Sequence, residues 1–260
     1  GWDGRTTQGW GHLASEVDAI VNLAGANIGE RRWTEARKRV IRASRVDAGK
    51  AIVAAVEQST HRPALVIQIA GVGYYGPHGD EPLDEQSPPG KDYLASVAAD
   101  WENATKPVTG FGVRLVTMRT GVVLTRQGGV LAPFLLQQRL FAGGPLGSGK
   151  QWISWIHMQD LMNCFLFFLE QANAPQKIVD GVFNVTSPEP VTNAQFGKIL
   201  SRVLKRPYWL PAPAFILRLV LGEMSTLVLD GQRVLPQRLL EMGFAFQYAS
   251  LRSALENLLK

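Results

Sequence analysis

The run Asp18-Ala-Ile-Val-Asn-Leu-Ala-Gly25 decides the fold of this chain. Its apolar centre, residues 19–23, is typical of a short buried strand, and the glycine that follows is typical of a tight turn. Three similar runs, at residues 65–70, 113–118 and 182–185, follow at separations that leave room for helices. Because strands alternate with helices, the sequence predicts an α/β fold built on a parallel sheet.

The segment between the first two runs, residues 34–57, predicts a helix with Thr34 as its N-cap. Four apolar residues are spaced to share one face of this helix: Ile41, Ala48, Ile52 and Val56. Arg45 lies on that same face, where an unpaired cation is very costly. We therefore expect Arg45 to contact an anion, whereas Arg37, Lys38 and Arg39 are interpreted as a solvated helix face.

Proline-rich residues 206–213 break the alternation of strands and helices and suggest a boundary. Before them, Thr192-Asn-Ala-Gln195 is a capping-box signature that opens a helix towards Leu204. Further helices are predicted at residues 93–105, 214–221 and 251–259. We predict a larger domain over residues 1–206 and a small, mainly helical C-terminal domain over residues 207–260.

The composition is that of a globular protein: 260 residues, of which 46% are hydrophobic and 19% charged. Cys164 is the only cysteine, which excludes an internal disulfide and favours a reducing compartment, the cytoplasm or an organelle matrix. No apolar stretch approaches the ~20 residues that span a bilayer, so we expect no membrane partner.

Positive charge is concentrated between residues 31 and 45, where seven Arg or Lys accompany the single acid Glu35. A phosphate-bearing ligand is one explanation, and a solvated helix face is another. No aromatic interleaving or binding motif accompanies these charges, so we expect no nucleic-acid partner.

Three kinds of chemistry lack the residues that they require. The segment Gly144-Pro-Leu-Gly-Ser-Gly-Lys150 resembles a phosphate-binding P-loop, but Gln151 follows where a Ser or Thr must bind magnesium. No Gly-x-Ser-x-Gly elbow follows a predicted strand. The four histidines are too scattered for a metal centre, so we expect no metal: His12, His61, His78 and His157.

A set of motifs follows the predicted strands in order. The carboxyl ends of parallel strands form the ligand crevice of open α/β sheets, so these motifs can converge on one site. They are Asn22-Leu-Ala-Gly25, Gly71-Val-Gly-Tyr-Tyr-Gly76, Arg119-Thr-Gly-Val-Val-Leu124, Gly143-Gly144 and Trp155-Ile-His-Met-Gln-Asp160.

Together these motifs resemble the atypical extended short-chain dehydrogenase/reductases of the NAD(P)-dependent epimerase/dehydratase family. Within that family the chain is most similar to the epimerase-family or cell-division-inhibitor-like subfamily. The resemblance also covers Arg31-Arg-Trp33, Ser44-Arg45 and Trp101-Glu102. The tail Leu229-Asp-Gly-Gln-Arg-Val-Leu-Pro-Gln-Arg238 is similar to the C-terminal domain of unknown function that this subfamily carries.

The resemblance implies a Rossmann-like, doubly wound parallel sheet that binds NADP or NAD. It implies that the cofactor passes over Leu23, Ala24 and Gly25, with Arg45 near its phosphates and the backbone of Val123 near the nicotinamide. It also implies a glycine-rich loop and further strands upstream of Gly1. We therefore expect this chain to lack the N-terminal glycine-loop half of the sheet and to be a fragment.

Members of the wider superfamily generally use a Ser or Thr, a Tyr, and a Lys four residues after the Tyr. The lysine lowers the phenol pKa, which is otherwise about 10 and poorly matched to proton exchange at neutral pH. At the corresponding positions this chain has Ala70, Tyr93 and Val97. The standard Ser and Lys are therefore absent, which favours a non-standard proton donor.

The candidate catalytic residues are Tyr93, Tyr75 and His157. Each also has a structural interpretation. Tyr75 can close a turn, Tyr93 can fill the core, and His157 can cap the following helix together with Asp160.

Three functional hypotheses remain open from the sequence. The first is an NAD(P)-binding epimerase/dehydratase-like oxidoreductase that acts by hydride transfer on an unknown small polar molecule. The second is a catalytically silent dinucleotide-binding protein that acts through protein partners, such as a regulator of division. The third is an inactive fragment.

Overall fold

The computed structural model describes residues 2–126, 128–172 and 179–259. In chain order, its strands are β1 (Ala19–Asn22), β2 (Leu65–Gly71), β3 (Pro82–Leu83), β4 (Arg114–Thr120), β5 (Val122–Leu124), β6 (Trp152–Ile153), β7 (Trp155–His157), β8 (Gly181–Val185), β9 (Val191–Thr192) and β10 (Arg233–Val234). Its α-helices are α1 (Glu35–Gln58), α2 (Tyr93–Thr105), α3 (Leu131–Arg139), α4 (Met158–Ala172), α5 (Asn193–Leu204), α6 (Ala214–Leu221), α7 (Thr226–Leu229), α8 (Gln237–Glu241) and α9 (Leu251–Leu259).

The central sheet has four parallel strands in the order β1-β2-β4-β8. These are the four strands that the sequence predicts, each within two residues of its expected limits. Because all four run in the same direction, their carboxyl ends lie at one edge of the sheet. The predicted Rossmann-like α/β fold with a parallel sheet and a small helical C-terminal part is confirmed.

Helix α1 begins where the sequence predicts it, since the Thr34 side chain accepts a hydrogen bond from the backbone N–H of Arg37 at 3.1 Å. All four apolar residues of its predicted face are buried, and Arg45 is buried with them. The capping box at Thr192 and Gln195 is also present at the start of α5. Local pattern therefore places the starts of α1 and α5 correctly.

The C-terminal segment shares the main hydrophobic cores of the molecule. Leu239 and Phe244 pack with residues of the sheet and α4, including Ile67 and Phe165. Leu255 of α9 packs in a second core, which also contains residues of α3, β7 and α5. Three small strand pairs complete the fold: β3 with β10, β5 with β7, and β6 with β9. Residues 207–260 thus contact the larger region extensively, and the division at residue 206 stays a prediction.

The glycine-rich segment 144–150 is followed by β6, whereas a P-loop would be followed by a helix. Among the described residues, no helix is both long enough and apolar enough to cross a bilayer.

Candidate functional site

The turn after β1 lies at the carboxyl edge of the sheet and is held from below by buried side chains. Asn22, which is 2% exposed, donates from Nδ2 to Gln68 Oε1 at 2.8 Å and accepts from the Ala24 backbone N–H at 3.1 Å. Leu23 and Gly25 are exposed. The turn therefore presents its surface to solvent on a rigid base.

Arg45 lies directly beneath this turn. Its Nη1 donates to the carbonyl oxygens of Ala26 at 3.1 Å and Ile41 at 2.9 Å. A Cβ at Gly25 would lie only 3.1 Å from the guanidinium carbon, so glycine allows the turn to rest on the arginine. The guanidinium carbon also lies 4.6 Å from the centroid of the Trp101 ring.

Within the described residues, the positive charge of Arg45 is not balanced by a carboxylate. Among the described residues, no Asp or Glu forms an ion pair with Arg45, and burial lowers its pKa. Arginine nevertheless stays protonated, so a cation lies under the turn. The buried indole N–H of Trp101 beside it also lacks a hydrogen-bond acceptor within the described chain. These residues fit the phosphates of a dinucleotide, which guanidinium groups bind well.

Val123 lies one element further along the same edge, in β5. This strand follows β4 directly and pairs in parallel with β7, in the register Val123 with Ile156. The half-buried Val123 side chain packs against the main core. Val123 is thus positioned by backbone pairing at the carboxyl edge.

A buried ion pair lies beneath the loops that follow β2 and β4. Arg119, 3% exposed, binds Glu102 of α2 with both ends of its guanidinium, Nε to Oε1 at 2.8 Å and Nη2 to Oε2 at 2.9 Å. Burial disfavours this charge, but Glu102 outweighs that effect and raises the pKa of Arg119. The sequence contains both residues, but no pattern in it indicates that they pair.

Tyr75 belongs to the same buried network. Its hydroxyl donates to Asn184 Oδ1 at 2.7 Å and accepts from Arg119 Nη1 at 3.0 Å. The side chain has no exposed surface, and burial raises its pKa to about 12. Asn184 in turn donates to the carbonyl of Leu235 at 3.0 Å. Tyr75 therefore connects the sheet to the C-terminal segment and also ends the short turn after β2, as its structural interpretation proposed.

Tyr93 lies at the start of α2 and is only half-buried. Its hydroxyl donates to the backbone carbonyl of Lys38 at 3.0 Å, and its ring meets Trp33 edge-on, with 5.3 Å between centroids. Burial raises the pKa of Tyr93, and the positive charges of Arg42, Arg45 and Lys38 oppose that shift.

The position where the superfamily has its lysine is apolar and buried, since Val97 is 4% exposed. The Lys38 ammonium nitrogen instead lies 5.3 Å from the centre of the Tyr93 ring. Lys38 also pairs with Glu35 at 3.2 Å and with Glu223, which follows α6. A cation is therefore close to Tyr93, although it comes from α1.

His157, 4% exposed, ends β7 and accepts a hydrogen bond at Nδ1 from the Gln159 backbone N–H at 3.0 Å. Its ring stacks on Tyr248 at a centroid distance of 3.9 Å, and burial lowers its pKa. His157 thus caps the start of α4. Asp160 does not share that role, because its carboxylate accepts the backbone N–H groups of Gln247 and Tyr248 instead.

The structure brings some of the predicted site residues together and separates others. The turn formed by Leu23, Ala24 and Gly25 rests on Arg45. Tyr93 neighbours Arg45 through the packing of α2 on α1. Within the described residues, no hydrogen bond joins Tyr93 to Tyr75 or His157.

Comparison with known proteins places this geometry in a family. The model of the NAD dependent epimerase/dehydratase family matches residues 10–185, and a domain of unknown function, DUF1731, matches residues 212–258. An epimerase family protein of Staphylococcus epidermidis is 38% identical over 255 residues, which cover 97% of this chain and 83% of that protein. The Arabidopsis thaliana chloroplastic SDR39U1 homologue is 42% identical over 253 residues, 96% of this chain and 71% of that one.

Two solved structures support the same family assignment. The human epimerase family protein SDR39U1 (isoform 2), crystallised with NADPH, is 34% identical, with a TM-score of 0.88 over 96% of this chain and 85% of that one. A nucleoside-diphosphate sugar epimerase from Corynebacterium glutamicum is 32% identical, with a TM-score of 0.77 over 100% of this chain and 49% of that one. The chain belongs to the NAD dependent epimerase/dehydratase family.

Proposed function

We propose that this protein binds NADP(H) or NAD(H) and catalyses hydride transfer at a carbonyl or alcohol carbon of a small polar molecule. The observation that carries the proposal is the buried, unneutralised Arg45 beneath the exposed turn from Leu23 to Gly25. An uncompensated buried cation requires an anion nearby, and a cofactor phosphate would supply it. The human relative solved with NADPH supports this assignment.

In this proposal, the backbone of Leu23, Ala24 and Gly25 contacts the cofactor, Arg45 neutralises phosphate charge, and the backbone of Val123 borders the nicotinamide. When bound, the nicotinamide supplies or accepts a hydride. The residues around it position the substrate and move the accompanying proton.

Tyr93 is the proposed proton donor. Among the three candidates, Tyr75 has no exposed surface and both of its hydroxyl contacts are within the protein, while His157 caps a helix. Tyr93 alone is half-exposed. Its raised pKa keeps the phenol protonated at neutral pH. The hydroxyl donates to the Lys38 carbonyl at 3.0 Å, so it must leave that acceptor before Tyr93 gives a proton to the oxygen of a carbonyl that receives the hydride. Solvent then returns a proton to the phenolate.

The cations of α1 take part in this step. Lys38, Arg42 and Arg45 each favour the phenolate form of Tyr93. They therefore stabilise the negative charge that forms as the proton leaves, which is the electrostatic role of the lysine that is absent at Val97.

The binding half of the proposal is tested by titrating NADPH and NADH into the purified protein, with tryptophan fluorescence as the readout. Gly25→Ala places a Cβ 3.1 Å from the Arg45 guanidinium carbon. We expect it to weaken binding about tenfold, which is roughly 1.4 kcal/mol. Gly29→Ala is the matched control, because its Cβ meets only Asn27 Oδ1 at 3.7 Å. Absence of saturable binding to the wild type would overturn the proposal.

The catalytic half is tested with NADPH carrying deuterium at its transferable position and a panel of small carbonyl compounds. Deuterium in the product reports hydride transfer by the wild type. We expect Tyr93→Phe to reduce kcat by roughly 10²–10⁴-fold, the usual contribution of a positioned acid, with cofactor affinity unchanged. A Tyr93→Phe variant with full activity would remove Tyr93 from the mechanism.

A further inference from the structure

One side of the molecule carries an unusually apolar surface, which we call the α3–α6 surface. Its residues are large hydrophobic side chains, each between 44% and 76% exposed: Leu136, Leu140, Phe141, Trp209, Leu210, Phe215, Ile216, Leu219 and Val220. Single exposed apolar residues are normal in proteins, but a cluster of this size marks an interaction site.

Direct contacts join the parts of this surface. The Trp209 indole N–H donates to the carbonyl of Phe141 at 3.0 Å, and the Leu210 backbone N–H donates to the carbonyl of Gly143 at 3.0 Å. Helix α6 starts four residues after Leu210. Leu217 on the inner side of α6 and Leu135 of α3 pack against the same core cluster. The segment after α3 therefore contacts residues 209–210 directly, and α6 follows those residues in the chain.

Helix α6 presents apolar residues on the side where a surface helix is normally polar. Phe215, Ile216, Leu219 and Val220 fall within one face by helical spacing, and all four are exposed. Leu217 points the opposite way, into the core. Burial within this chain therefore explains only the inner face of α6 and leaves the outer face without a partner among the described residues.

The charges around the surface are mainly positive. Two carboxylates also lie beside α6: Glu223, which pairs with Lys38, and Asp230, which is close to Arg218. Residues 131–152 contain Arg139 and Lys150 and no Asp or Glu, and residues 190–222 contain five Arg or Lys and no Asp or Glu. Arg139, Arg206 and Arg218 are exposed, and the Arg206 guanidinium lies 4.5 Å from the Phe141 ring centroid. The excess of positive charge therefore favours an occupant that is both apolar and negatively charged.

Two kinds of occupant fit this surface poorly. A second copy of the same face would bring mainly positive segments against each other, because seven Arg or Lys in residues 131–152 and 190–222 face only Glu223 and Asp230 beside α6. A peptide that docks in a groove would need a concave site, whereas Leu219 and Phe215 project with 76% and 70% of their surface exposed. A fluid anionic bilayer fits both properties, since apolar side chains enter the acyl boundary and cations contact the headgroups.

We propose that the α3–α6 surface binds peripherally to anionic phospholipid membranes. The absence of a spanning segment led us to expect no membrane partner, but a helix lying in the interface needs no span. Phe215 and Leu219 enter the bilayer, and Arg206 and Arg218 contact phosphate groups. The proposal does not depend on the cofactor or on catalysis.

The test is sedimentation of the full chain with vesicles of phosphatidylcholine alone or of equimolar phosphatidylcholine and phosphatidylserine. We expect strong partitioning only to the second kind, reduced by high salt. The Phe215→Gln, Leu219→Gln double variant should lose at least about tenfold in partition coefficient. The matched control is Met162→Gln, Leu166→Gln, which alters two exposed apolar residues of α4 without changing charge.

Charge is tested separately. Arg206→Gln and Arg218→Gln should each lower partitioning about fivefold, as expected for one cation near an anionic surface, while Arg39→Gln should not. All variants alter exposed residues, and circular dichroism checks that they are folded. Equal binding to both kinds of vesicle, equal loss in the α4 control, or no binding by folded wild type would overturn the proposal. So would a concentration-dependent dimer in ultracentrifugation that Phe215→Gln, Leu219→Gln abolishes.

Discussion

Arg45 and Arg119 are both buried beneath the carboxyl edge of the sheet, yet their surroundings differ. Arg119 binds both oxygens of Glu102 and the hydroxyl of Tyr75. Arg45 contacts two backbone carbonyls and an aromatic ring, and has no carboxylate partner in the described chain. Burial therefore lowers the pKa of Arg45, while that of Arg119 is raised by its partner.

This difference indicates a structural role for Arg119 and a ligand-binding role for Arg45. Arg119 has its charge satisfied within the protein, so it stabilises the base of the site and has little capacity left for a ligand. Arg45 keeps an unbalanced charge under an exposed turn, which costs stability in the free protein and becomes favourable when an anion arrives. Substitutions in the Arg119 network are therefore predicted to reduce stability, whereas substitutions at Arg45 are predicted to reduce ligand binding.

The largest effect is expected from Glu102→Gln, which leaves the buried Arg119 charge without its carboxylate. Breaking a buried ion pair from one side costs about 3–5 kcal/mol, so the free energy of unfolding in guanidinium titrations should fall by that amount. Arg252→Gln is the control, because Arg252 is the exposed member of its pair with Glu256 and its loss should cost less than about 1 kcal/mol. Equal losses in the two variants would show that Arg119 does not depend on its carboxylate.

A second effect concerns the phenol in the Arg119 network. Burial raises the pKa of Tyr75 from its ordinary value of 10 to about 12, so the folded state holds the phenolic proton more tightly than the unfolded state. The resulting stability is complete below pH 10 and is lost as the pH rises through 12, amounting to roughly 2–3 kcal/mol.

Tyr75→Phe removes this titration. The wild-type free energy of unfolding should therefore fall more steeply than that of Tyr75→Phe between pH 10 and 12, when both are measured by denaturant titration. Tyr93→Phe serves as a comparison, since Tyr93 is only half-buried. Parallel curves for wild type and Tyr75→Phe would mean that the phenol is not held neutral by burial.

The sequence predicts those parts of the site that depend on the spacing of residues close together in the chain. Helical spacing placed Arg45 on the buried face of α1, and a glycine after a short apolar run placed the turn above it. Both inferences use residues within a few turns of one another, where backbone periodicity determines position.

The Arg119 network depends on tertiary packing instead. Glu102 is 17 residues from Arg119 on another element, and Asn184 is 109 residues from Tyr75. No periodicity links such positions. For the same reason, the sequence indicates Tyr75 and His157 as candidate catalytic residues but does not indicate that they are buried. It also predicts helix α6, but it does not indicate that the apolar face of this helix points outward.

The smallest effect on free energy tests Arg45 directly. If Arg45 makes a charge-assisted hydrogen bond to a cofactor phosphate, Arg45→Ala should weaken NADPH binding by about 2 kcal/mol, roughly thirtyfold. Arg39→Ala on the exposed side of the same helix is the control and should leave affinity unchanged. No carboxylate among the described residues pairs with Arg45, so Arg45→Ala leaves no buried charge unpaired. It should therefore reduce the free energy of unfolding much less than Glu102→Gln does. A large loss of stability with unchanged affinity would make Arg45 a structural residue like Arg119, and the proposed cofactor site would lose its main support.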